Sequence, residues 1–167
     1  MPQRAPDGGS RLIGWREYVA LPEWGIVRIK AKADTGARSS AIDVSDLQRT
    51  GTGKVRFDVI ASRRQPAKRV RVEAEILRET TVRSSLGETH TRIVVATRLR
   101  IGTVEKVVEL GLVSRPMMRC RMLLGRTALT PEFHVDPGRS FVLSRARRRS
   151  DNRRANAGRV REQEGSV

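Results

Sequence analysis

Val27-Arg28-Ile29-Lys30-Ala31-Lys32-Ala33-Asp34-Thr35-Gly36-Ala37-Arg38-Ser39-Ser40 is the stretch that decides how this chain is read. Val27, Ile29, Ala31 and Ala33 alternate with Arg28, Lys30 and Lys32. Period two predicts a half-buried strand. The run ends on Asp34, so a strand delivers a carboxylate onto a turn. Thr35 adds a short hydroxyl, and Gly36 lets backbone approach closely. By strict alternation Asp34 falls on the lysine side; the turn is expected to break that parity.

Far downstream, Arg121-Met122-Leu123-Leu124-Gly125-Arg126 reads as an apolar strand ending in glycine. Between the two stretches, Val55 to Ala61 and Val70 to Ile76 alternate as strands, and Thr80 to Arg83 continues extended. Ser84 to Glu88 reads as a hairpin tip and His90 to Thr97 as its returning strand. Val104 to Val113 is a further strand, interrupted at Gly111. Thr127 to Leu129 starts a short helix that Pro131 ends. Phe133 to Val135 and Phe141 to Leu143 are short extended pieces around the turn Asp136-Pro137-Gly138. Ser40 to Leu47 is mixed, with no clear period. Many short strands with turn signals between them predict an all-β barrel or sandwich.

A length of 167 residues suits one domain. Aromatics are 4%, so the core must be built from Val, Ile, Leu and Ala. The expected organisation is a disordered N-terminus over residues 1–10, a folded domain over 11–143 and a basic disordered tail over 144–167. The net charge is +16, and from Ser144 to Val167 eight Arg face Asp151, Glu162 and Glu164. A basic surface favours acidic partners, and the tail suits weak, salt-dependent binding of nucleic acid. Cys120 is alone, which excludes an intrachain disulfide, and it is expected to be a buried small hydrophobe. No apolar run is long enough to cross a bilayer and no apolar signal core opens the chain, so the expectation is a cytoplasmic protein with no membrane contact.

Asp34-Thr35-Gly36 is the signature tripeptide of aspartic peptidases, and retropepsin-type domains pair such a turn with a downstream strand ending in glycine. Further blocks follow in order. They are Gly14-Trp15-Arg16-Glu17, Leu21-Pro22-Glu23, Ile29-Lys30-Ala31-Lys32, Asp34 to Ser40, Arg121 to Leu129, Phe133, Val135-Asp136-Pro137 and Ser140-Phe141. On these residues, roughly 14–143, the chain resembles a bacterial retropepsin-like family that carries the label of ATP-dependent zinc proteases. Its members are commonly found beside ATP-grasp glutamate ligases.

The resemblance implies a small closed all-β barrel of acid-protease type with a hairpin flap. It implies an aspartic peptidase acting on peptide or isopeptide bonds, including oligo-glutamate tails added by a partner ATP-grasp ligase. Asp34 is the implied catalytic residue, supported by Thr35, Gly36 and Ala37. Leu124, Gly125 and Arg126 are the structural residues beside it. Asp43, Asp46, Asp58, Asp136 and Asp151 lack a following Thr-Gly, so a homodimer is expected to supply the second carboxyl. Ser85 and Gly87, around Leu86, belong to the flap. Retroviral enzymes carry an acid where this chain has Arg38, which removes the usual partner of Arg126. Arg38 instead suggests an acidic substrate, with Lys30, Lys32, Arg83 and Arg92 as helpers.

Neither half of the family label finds a motif. There is no His-Glu-x-x-His, and His90, His134 and Cys120 are isolated, so no metal is expected. In Gly51-Thr52-Gly53-Lys54-Val55, Val55 replaces the Ser/Thr of a phosphate loop and Gln48 its first Gly, so no cofactor is expected. The alternative reading is a non-catalytic basic β-barrel that binds acidic peptide or nucleic acid. Against sequence-specific RNA binding, the strands lack the aromatic pairs that stack bases.

Overall fold

The computed structural model describes residues 9–62, 64–65, 68–83 and 86–144. The expectations for residues 1–8, for the tail from 145 onward and for Ser85 lie outside the described residues. Ser10, placed in the expected disordered start, is described and shares a 2.8 Å hydrogen bond with His134 Nδ1.

The strands are β1 (Arg11–Gly14), β2 (Arg16–Leu21), β3 (Ile26–Ala33), β4 (Ser40–Thr50), β5 (Lys54–Ile60) and β6 (Arg69–Glu75), followed by β7 (Arg78–Arg83), β8 (Thr89–Ile101), β9 (Val104–Val113), β10 (Met122–Leu124) and β11 (Phe133–Asp136). One four-residue helix, α1 (Arg126–Leu129), follows β10. Strands β10, β3, β2, β8, β9 and β4 are hydrogen-bonded in that order, and β4 pairs back to β10, which closes a ring. The fold is therefore the all-β closed barrel of retropepsin-like type. Inside it lie Ile29, Ala31, Ile42, Val95, Leu99, Leu110, Met122 and Leu124, none more than 1% exposed. Each large aliphatic side chain so buried stabilises by about 1.5–3 kcal/mol, which lets a core poor in aromatics hold.

Two irregularities shape the ring. The β2–β3 register shifts between Val19↔Ile29 and Leu21↔Ile26, which inserts one residue on β3. A one-residue insertion exchanges the faces. Ile26 is consequently buried and Val27 is 84% exposed, the reverse of what alternation predicts for Val27. Strand β4 has a similar shift between Ser45 and Gln48, where Asp46 takes φ +51°. Its first half closes the barrel, and its second half leaves it to form a sheet with β5 and β6. That bend explains why 40–47 shows no single period. Cys120 is buried, as expected of a small hydrophobe.

Strand β9 runs unbroken through Gly111, which pairs with Ala41 and Val94, so the expected interruption is absent. Phe141 to Leu143 is a loop rather than an extended piece, and Phe141 sits at φ +56°. The loop is held by Glu17, which is 1% exposed. Glu17 accepts the backbone N–H groups of Gly14, Val142, Leu143 and Ser144 at 2.8, 2.6, 3.1 and 2.9 Å, and the Ser144 hydroxyl. Tyr18 stacks on Phe141 with centroids 4.8 Å apart. No helix among the described residues is long and apolar enough to cross a membrane.

Candidate active site

Strands β3 and β4 are joined by the turn 34–39, and β10 is inserted between them. It runs parallel to β3 (Met122↔Ala31, Leu124↔Ala33) and antiparallel to β4 (Met122↔Ile42, Leu123↔Ala41). The turn must pass over the end of the inserted strand, and that crossing fixes it. Asp34 N–H donates to Leu124 O at 2.9 Å. Gly125 N–H donates to Ser40 Oγ at 3.0 Å. Arg126 N–H donates to Ala37 O at 2.9 Å, and Thr127 N–H and Oγ1 donate to Arg38 O at 3.1 and 3.0 Å. Backbone meets backbone so closely that a Cβ on Gly125 would lie 2.4 Å from Ser39 O. Glycine is required there by packing.

The carboxylate is oriented from within the turn. Asp34 Oδ1 accepts Gly36 N–H at 3.1 Å and Ala37 N–H at 3.2 Å. Two N–H donors hold the carboxyl group in one orientation. Asp34 is half-buried, Thr35 and Gly36 are exposed, and no cation among the described residues is within ion-pair reach of Asp34. The lysines are elsewhere: Lys30 lies 5.8 Å from the Tyr18 ring, and Lys32 is exposed. The other described aspartates are committed. Asp43 is buried against Arg121 at 2.6 Å. Asp58 and Asp46 both engage Arg71, and Asp136 accepts Gly138 N–H at 2.8 Å. Among the described residues no second carboxylate is hydrogen-bonded to Asp34.

Arg126, which lost its acidic partner to Arg38, donates from Nη1 to Thr35 O at 3.0 Å. It braces the turn through a main-chain carbonyl. Arg38 itself is exposed and lines a groove of about 700 Å³ together with Ser39, Thr80, Val107 and Thr127. Gly87 is exposed at φ +84° near the tip of the β7–β8 hairpin. His90 is exposed beside Glu88, and His134 is exposed on β11. Among the described residues no group of three His, Cys, Asp or Glu side chains is placed to hold a metal ion.

Sequence reasoning missed Gly111 and undervalued Arg92. A Cβ on Gly111 would lie 2.5 Å from Arg92 Cδ, so the arginine stem occupies that space. A glycine in mid-strand was the available signal, since it marks close approach as readily as a break.

A model of the RimB-like family, described as retropepsin-like aspartic endopeptidase RimB, matches residues 12–146. The chain belongs to that family. The RimB-like segment also resembles proteins named probable alpha-L-glutamate ligase. It is 36% identical over 135 residues to one from Shewanella pealeana, covering 79% of this chain and 30% of that protein. It is 33% identical over 147 residues to one from Desulfotalea psychrophila, covering 86% and 32%. The RimB-like chain thus spans about a third of the length of the curated relatives it matches. Among solved structures, it aligns with protein Lpg0085 of unknown function (DUF785) from Legionella pneumophila. The TM-score is 0.68 at 22% identity, covering 81% of this chain and 99% of that one, a likeness of fold.

Proposed function

We propose that the chain is an aspartic-type peptidase, completed by a second copy of itself, that hydrolyses peptide or isopeptide bonds in glutamate-rich tails. The observation that carries this is Asp34: a half-buried carboxylate, fixed by two N–H donors on a turn, with no cation in ion-pair reach among the described residues. Asp43 and Asp58, by contrast, are ion-paired with arginines. The commitment of the other described aspartates supports a second chain as the source of the second carboxyl.

In the paired centre one Asp34 is ionised and its twin protonated, because like charges in contact do not both ionise. The ionised carboxylate takes a proton from water as the water oxygen bonds to the scissile carbonyl carbon. The protonated carboxyl donates its proton to the carbonyl oxygen. The resulting adduct collapses with loss of the C–N bond. The amine leaves with the proton that the first carboxylate had gained, and the second carboxyl is reprotonated by the adduct's hydroxyl. Thr35, Gly36 and Ala37 hold the carboxyl; Leu124, Gly125 and Arg126 hold the turn.

Glutamate tails are proposed on two grounds. Relatives sharing this segment are named glutamate ligases, and most of their length lies outside the match. Arg38 lines the groove beside the turn, and a guanidinium is a good reader of carboxylates. An ATP-grasp ligase is the partner this suggests. The test is cleavage of a protein bearing an oligo-glutamate tail. Wild-type protein is expected to shorten the tail and Asp34→Asn to leave it intact. Equal turnover by the variant would remove the aspartic mechanism.

A further inference from the structure

Arg92 lies on β8, paired with Thr80 of β7 in the β7–β8 hairpin. Its stem crosses β9 at Gly111, the position in that strand where a side chain would collide with it. The half-buried stem leads into a small recess of about 50 Å³ lined by Ser39, Ser40, Thr80, Val94 and Gly111. Ser39 and Ser40 end the turn that Asp34 begins. The recess opens beside the larger groove that Arg38 lines, and the two share Ser39, Arg78, Thr80 and Glu109.

The charges around Arg92 do not balance. Arg78 and Glu109 also line the recess, but they are ion-paired with each other. Arg92 has no carboxylate partner among the described residues. Burial, and next the positive charge of Arg115, push its pKa below the usual arginine range. A partly desolvated guanidinium without a carboxylate partner is stabilised by an incoming carboxylate.

We propose that Arg92, seated by Gly111, is a specificity-determining residue that receives a substrate carboxylate between the hairpin and the Asp34 turn. Its planar fork matches a carboxylate by two parallel N–H···O bonds. Ser39 and Thr80 line the same recess. The inference rests on the peptidase reading of the cleft but concerns binding, so the two fail separately.

The experiment is calorimetric titration with oligo-glutamate amidated at its C-terminus, against wild-type, Arg92→Gln, Arg92→Lys and Gly111→Ala proteins. Oligo-glutamate with a free C-terminus and amidated oligo-glutamine are the comparison peptides. Arg92→Gln is expected to weaken amidated oligo-glutamate roughly ten- to hundredfold, the range of charged hydrogen bonds. Arg92→Lys should recover part of the loss. Gly111→Ala, which displaces the guanidinium without changing charge, should also weaken binding. Oligo-glutamine should bind no protein tightly. Thermal unfolding of Arg92→Gln should occur at or above the wild-type temperature, because an unpaired cation has been removed; a merely structural arginine would lower it. Unchanged affinity in Arg92→Gln overturns the proposal. So does tight binding that requires a free C-terminus, which would make the ligand a chain end rather than side chains. Wild-type binding without any cleavage would retire the peptidase reading and leave this one standing.

Discussion

A carboxylate at the end of a strand can do chemistry when it is held still and left unpaired; Asp34 is held by two N–H donors and has no ion pair among the described residues. Asp34→Asn keeps one oxygen to accept from Gly36 and Ala37, so the fold is expected to survive while cleavage falls to background; circular dichroism and tail-shortening assays check the two halves. Gly125 is the residue the turn tolerates least change in. Gly125→Ala places a methyl against the carbonyls of Ser39 and Arg38, fixed backbone that cannot swing aside. The expected destabilisation is about 1–3 kcal/mol by chemical denaturation, typical of overpacking. Both residues were legible in the sequence, because Asp-Thr-Gly and a glycine-ended apolar strand are local patterns. The consequence of Arg38 was half legible. Its charge is written in the chain, whereas the transfer of Arg126 to the carbonyl of Thr35 depends on the crossing of β10 and the turn.

At the scale of elements, the strands were readable and their faces were not always. Alternation located β3, but the bulge opposite it put Ile26 inside and Val27 outside. No sequence pattern within β3 announces a bulge set by its pairing with β2. Strand β4 was unreadable for a related reason: its halves serve different sheets, and its first five residues are all buried. The loop 141–143 was misread as extended because its partner, Glu17, lies over a hundred positions away. Glu17→Gln turns an amide NH2 toward a nest of N–H donors. The expectation is a loss of about 1–3 kcal/mol, with faster hydrogen exchange at Val142 to Ser144. Arg121→Ala should be worse, at about 3–5 kcal/mol by denaturation, since it leaves Asp43 buried with its charge uncompensated.

At the scale of the molecule, we propose that the six-strand ring carrying Asp34 is half of a centre. The family to which the chain belongs and the ligase names of its relatives bear on what such a centre would act upon; its completion by a second copy is the account's central claim. The most direct measurement mixes wild-type with Asp34→Asn protein in equal amounts, co-refolds them and follows tail cleavage per wild-type chain. Random pairing leaves roughly half of the wild-type chains facing an Asn, so the account predicts a fall to roughly half the activity. Activity per wild-type chain that stays constant as the variant is added would contradict it.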